Sequence, residues 1–240
     1  MTEGSAVLVH GGWGNPDDWT WVQRPLEARG VQVSRPDLPS HHGAGSALPE
    51  DARSVREAIR RSRPPVVVVG WSYGGEVVSA AADAEREVAG LVYVSRVPRN
   101  DGYVPDVRWL DGDRILHGED GTCVIDDHWW REEEAGATFP AEVRQALRSH
   151  PRRPITTRAF ADPLVGEAWR TTRAIVLMGH DDVFLDADDE RWMAAQPELD
   201  VRMLDCDHFV LFRDPGVIVD AVLELLTPGP SRQSAGWEPS

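Results

Sequence analysis

The sequence contains only two cysteines, Cys123 and Cys206, in 240 residues. That excludes a disulfide framework, and the missing C-x-x-C spacing excludes a thiol-exchange or zinc site built on it. A reducing, cytoplasmic setting is the expectation. No window approaches the ~20 apolar residues of a membrane span, and Met1 to Ser5 lack the basic and apolar regions of an export signal. Basic residues are scarce: 25 Lys and Arg stand against 40 Asp and Glu, for a net charge of −15. A field of that sign opposes binding to phosphate backbones or anionic lipid, so neither nucleic acid nor membrane is an expected partner. Cofactor signatures are missing too. Gly70 to Gly75 have neither the G-x-G-x-x-G spacing of a dinucleotide site nor the G-K-[ST] of a P-loop. The pair His41-His42 sits in a Pro-, Ser- and Gly-rich loop without an evident set of further ligands, which reads as surface loop. No cofactor and no metal are expected.

What is present suffices for one sizeable globular domain, with 41% hydrophobic and 27% charged residues. Apolar runs at Ala6 to Val9, Val31 to Val33, Val66 to Val69, Ala89 to Val94, Ala174 to Met178 and Val201 to Leu204 predict strands. Their continuous apolar character predicts burial on both faces, as in a parallel sheet. Helical patterns at Asp51 to Arg61, Gly75 to Ala84 and Val217 to Leu226 alternate with them, which predicts an α/β doubly wound fold. The alternation fails from about Pro98 to Arg170, where Trp109, Trp129, Trp130 and Trp169 mix with the charged run Arg131 to Glu134. A structureless loop of that length is improbable, so a mostly helical cap is expected over residues 98–170, inserted into a core of residues 1–97 and 171–226. The Pro-, Gly- and Ser-rich end, residues 227–240, is expected to be a disordered tail.

The chemistry concentrates after the strand Val66 to Val69, where Gly70-Trp71-Ser72-Tyr73-Gly74-Gly75 leads directly into a helix. A strand, tight turn and helix in that order hold the central serine exposed in a strained conformation, above a helix N-terminus. The same pattern fits a glycine-rich turn in which Ser72 only caps the helix. A serine hydroxyl needs a base, and the base needs an acceptor for its second proton. His208 follows the last strand and Asp182 follows the Ala174 to Met178 strand, both at the edge where open α/β sheets assemble sites. Each alone also fits a plain loop residue. Near the N-terminus, His10-Gly11-Gly12-Trp13-Gly14 follows the first strand, and its Gly12 N–H could join that of Tyr73 in holding an oxyanion. Trp13 is the alternative donor.

Four segments together, His10 to Gly12, Gly70 to Gly74, Gly179 to Asp182, and Asp207 to Phe209 with Pro215 beyond, resemble the α/β-hydrolase superfamily. Val7 to Gly12 with Trp19 and Trp21, and Asp207-His208, are most similar to its small esterase group of methyl esterases and hydroxynitrile lyases. The resemblance implies a mostly parallel sheet of about six strands flanked by helices, with a helical cap after the sixth family strand. In the family's G-x-x-D pattern the acid falls on Asp182, with Asp181 as fallback. The lyases carry threonine at the position of Gly11 and lysine at that of Phe209, so their signature is missing here. Dehalogenases carry aspartate at the position of Ser72, whereas cofactor-free haloperoxidase-type sites share the same triad.

The resemblance therefore implies a serine hydrolase of a carboxylic ester, lactone or thioester. Catalytic residues would be Ser72, His208 and Asp182, with Gly12 and Tyr73 as backbone oxyanion donors. Trp13, Trp71, Arg96, Trp129 and Phe209 are the expected substrate-binding residues. Arg96 departs from the small or apolar residues usual there and could pair with a substrate carboxylate or with a protein acid. A small molecule is the expected partner, bound by a monomer or homodimer. Two other readings fit the same fold: a biosynthetic lyase, cyclase or isomerase using His208 as acid or base, and a hydrolase-like receptor.

Overall fold

Six short apolar runs, none able to bury itself alone, solve the problem by pairing edge to edge. The computed structural model describes residues 4–43, 45–83, 85, 87–99 and 108–227. Its strands are β1 (Ser5–Val9), β2 (Gln32–Ser34), β3 (Val66–Trp71), β4 (Val88–Val94), β5 (Ile115–His117), β6 (Thr122–Ile125), β7 (Ile155–Thr156), β8 (Ala174–Gly179) and β9 (Leu199–Leu204). The principal helices are α1 (Thr20–Ala28), α2 (Leu48–Arg61), α3 (Tyr73–Ala82), α4 (Asp127–Glu132), α5 (Ala141–Leu147), α6 (Arg158–Ala161), α7 (Ala187–Ala194), α8 (Val210–Arg213) and α9 (Pro215–Leu226). Six strands form one sheet in the order β2-β1-β3-β4-β8-β9. Every pairing in it is parallel.

The sheet is covered on both faces, which is why its strands read as unbroken apolar runs rather than alternating ones. Val7, Val9, Val66 and Val68 point into one cluster beneath α2 and α3. Ala6, Leu8, Val67 and Val69 point into the other, beneath α1 and α9. Helix α2 starts with Glu50 reaching back to the Ala47 N–H at 3.1 Å, and ends with Arg60 and Arg61 in its last turn, where cations complement the helix dipole. The chain reverses direction across the sheet between β1 and β3, and the carboxyl ends of those neighbours open a crevice at this switch point.

The segment between β4 and β8 differs from the helical insertion expected of it. Alongside α4, α5 and α6 it holds a three-stranded antiparallel sheet in the order β5-β6-β7. Strands of two to four residues are too short to impose a visible period on the sequence. The acidic run Glu132 to Glu134 is exposed, as a solvated helix face would be. The C-terminal tail expected from composition lies outside the described residues beyond Thr227. Among the described residues no helix is long and apolar enough to cross a membrane.

Leu8 is completely buried in the middle of β1. Leu8→Ala is expected to cost roughly 2–5 kcal/mol, the transfer term plus a residual cavity, measurable by chemical denaturation.

Candidate functional site

Ser72 lies between the last residue of β3 and the first of α3, with φ 53° and ψ −125°. A β-carbon on Gly70 would run into the backbone of Gly74, and one on Gly74 into the carbonyls of Val9 and His10. Only glycine at both positions lets strand, turn and helix close this tightly. The Ser72 side chain makes no capping bond to α3, so the serine is not spent on holding the helix. Two other non-glycine residues with positive φ, Trp13 at 58° and Ser95 at 51°, follow β1 and β4 at the same edge. Strain of this kind costs about 1–3 kcal/mol per residue and persists where surrounding contacts over-determine it.

His208 and Asp182 meet. The imidazole Nδ1 lies 3.0 and 2.9 Å from the two carboxylate oxygens of Asp182. Both side chains are buried, Asp182 at 1% and His208 at 8% exposure. A carboxylate can only accept, so Nδ1 is the donor in this contact; in the neutral imidazole Nε2 is then the acceptor. Asp182 itself is fixed by the Phe184 N–H at 2.9 Å, while its neighbour Asp181 is exposed. Of the two acids the family pattern offers, Asp182 is the one on His208. The Trp71 indole N–H donates to the His208 carbonyl at 3.0 Å, tying the histidine loop to the residue before Ser72. The Phe184 ring stands edge-on to the imidazole, centroids 4.8 Å apart.

Gly12 and Tyr73 face each other across the crevice, a β-carbon on Gly12 falling 3.9 Å from that of Tyr73. Neither N–H donates to any acceptor among the described residues. The Tyr73 hydroxyl is turned away, donating to Asp51 at 2.7 Å. Asp51 also accepts the Ser40 N–H at 2.9 Å. Burial, the Asp51 charge and this bond push the Tyr73 phenol well above its ordinary value, so it stays protonated.

The expected substrate-binding residues separate into different environments. Trp13 is half-buried against Phe160, ring centroids 5.7 Å apart. Trp71 is buried at 3% exposure; its ring packs against Gly11, Phe209 and Phe212. Phe209 sits half-buried in an aromatic cluster with Trp71, Trp130 and Phe139. Trp129 is half-buried beneath the Arg114 guanidinium at 5.3 Å. The surface-loop reading of His41-His42 also divides. His42 is exposed on Asp37 at 2.9 Å, whereas His41 is buried against His10, and burial with the nearby His10 and Arg153 charges lowers its pKa well below 6.5.

Arg96 has a partner acid. It pairs with Glu76 of α3 at 2.9 Å, beside a small surface pocket that both residues line. Glu76 escaped the sequence reading because it falls inside an apolar helix pattern, where a carboxylate has no visible partner. Burial raises its pKa from 4.5 to about 7, Arg96 pulling it down and Asp162 pushing it up. The folded protein therefore binds this proton more tightly than the unfolded chain does, and its contribution to stability is expected to fall as pH rises from about 4.5 to about 7. Glu76→Gln is expected to flatten the dependence of melting temperature on pH across that window.

The comparisons with known proteins agree with this architecture. The model of the alpha/beta hydrolase family matches residues 6–221. Among solved structures, a pyrethroid hydrolase from Sphingobium faniae is similar at 23% identity and TM-score 0.72, covering 92% of this chain and 96% of its own. An Arabidopsis methylesterase is similar at 20% and 0.67, covering 92% and 97%. Tomato methylketone synthase I, complexed with 2-tridecanone, is similar at 15% and 0.69, covering 94% and 98%. At these identities the likeness is one of fold. No curated protein matches. A match across nearly the whole described chain, on a six-stranded parallel sheet with this turn after its third strand, places the chain in the alpha/beta hydrolase family.

Proposed function

We propose that this chain is a serine hydrolase acting on a carboxylic ester, lactone or thioester of a small, partly apolar molecule. The observation that carries the reading is the buried Asp182 carboxylate on His208 Nδ1, at the same sheet edge as the strained, uncapped Ser72. In the neutral imidazole that arrangement makes Nε2 the base. Ser72 Oγ attacks the acyl carbon while Nε2 takes its proton. The Gly12 and Tyr73 N–H groups stabilise the tetrahedral oxyanion. Collapse breaks the bond to the leaving alcohol, which receives the proton from His208. Water then enters by the same path and releases the acid, restoring Ser72.

The apolar character of the substrate is supported by the rim. Val183 and Phe184, 84% and 53% exposed, directly follow Asp182, and Phe184 touches the imidazole. Exposed apolar side chains at a site mark apolar ligands. Two similar structures, a pyrethroid hydrolase and a methylesterase, are consistent with ester chemistry. The competing use of such a site is acid–base chemistry by His208 without an acyl-enzyme, since one fold hosts many chemistries.

Turnover of p-nitrophenyl esters separates the two. Wild-type protein is expected to give a burst of p-nitrophenol equal to the enzyme present. Ser72→Ala is expected to abolish it, and Asp182→Asn to lower kcat on the order of 10³- to 10⁴-fold by permitting the wrong imidazole tautomer. Equal turnover by Ser72→Ala overturns the proposal.

A further inference from the structure

The loop that carries Gly12 is held partly by contacts from outside itself. Residues 10–14 contain three glycines and the positive-φ Trp13, and the internal backbone bond is Gly14 N–H to Gly11 O at 3.2 Å. His10 Nδ1 lies 3.0 Å from the Gly11 carbonyl and Trp71 packs on Gly11; beyond Gly12, the restraints come from the segment between β4 and β8. The Arg153 N–H donates to the Trp13 carbonyl at 2.9 Å, and the Arg153 Nε–H to the Gly14 carbonyl at 2.9 Å. The Trp13 indole N–H donates to the Cys123 carbonyl at 3.2 Å. Phe160 packs so closely that a β-carbon on Gly12 would lie 2.7 Å from its ring.

Two consecutive arginines anchor this arrangement to acids that follow β1 and β2, Asp18 buried and Asp37 exposed. Arg153 forks onto Asp37 at 2.7 and 3.2 Å. Although burial alone would raise it, hydrogen bonds from His10 and Arg153 hold the Asp37 carboxyl well below the ordinary range. Arg152 forks onto Asp18 at 2.7 and 3.0 Å with both side chains buried. Asp18 in turn accepts the Asn15 N–H at 3.1 Å. The chain has no lysine, and an ammonium could not fork onto a carboxylate while also reaching a carbonyl.

From this geometry we propose that Arg153 is a positioning residue for the oxyanion site: through the Trp13 and Gly14 carbonyls it fixes the direction of the Gly12 N–H. The inference rests on the serine-hydrolase reading above, and it makes the inserted segment part of the catalytic apparatus. It follows that the segment cannot lift from the loop as a free lid without disassembling the oxyanion donors.

The test uses the full chain with p-nitrophenyl acetate and an alkyl boronic acid, whose tetrahedral serine adduct mimics the intermediate. Arg153→Met is expected to lower kcat roughly 10- to 100-fold, short of full loss of a donor, with KM within about twofold. Boronate affinity should fall by the same factor as kcat/KM, a proportionality that a merely structural role would not produce. Asp37→Asn, which unhooks the guanidinium while keeping Arg153, is the second variant and should act in the same direction if Arg153→Met does not fold. Thr138→Ala removes a different contact of the insertion, the one accepting from Arg213 at 2.7 Å, and should leave kcat unchanged. Unchanged kcat in both Arg153→Met and Asp37→Asn, a loss confined to KM, or an equal loss in Thr138→Ala overturns the inference while leaving an active wild type, and the hydrolase reading, intact. An inactive wild type removes both.

Discussion

The site depends on a buried imidazole being held at both ends. Asp182 fixes the His208 ring through Nδ1, and Trp71 fixes its backbone through the indole N–H. An ion or dipole taken from water into a protein interior is costly unless its partners are already in place. Here the partners arrive on different strands: Trp71 ends β3, Asp182 follows β8 and His208 follows β9. The parallel sheet brings all three carboxyl ends to one edge, so the register of the core sets the geometry of the chemistry. Aromatic packing of Trp71 with Phe209 and Phe212 stiffens the same contact from below.

Backbone strain is gathered at that edge as well. Trp13, Ser72 and Ser95 all have positive φ, each directly beyond a strand or its first turn. The strain is offset by parallel pairing and by dense apolar burial on both faces of the sheet. Rigid strands and strained turns complement each other: the first hold the second in conformations that isolated loops would abandon.

Much of this was legible in the sequence, because it is written in local patterns. Continuous Val and Ile runs announced the doubly covered sheet, and Gly70 to Gly74 announced a turn too tight for side chains. What escaped depended on partners distant in the chain. Glu76 reads as a misplaced acid until Arg96 is seen beside it. Arg152 and Arg153 read as two more charges between prolines until Asp18 and Asp37 are found opposite them. That Trp71 bonds the His208 carbonyl was not legible either, because an aromatic beside Ser72 does not reveal which face of the sheet it joins. Strands β5 to β7 were too short for periodicity, and only their pairing identifies them.

The central claim is that Ser72 is an activated nucleophile paired with His208. Intact-protein mass spectrometry after exposure to a fluorophosphonate, followed by peptide mapping, addresses it most directly. A single adduct on Ser72, formed by the wild type and lost when His208 is replaced by alanine, is the predicted result. A protein that stays unmodified, or that carries the adduct on a different residue, contradicts it.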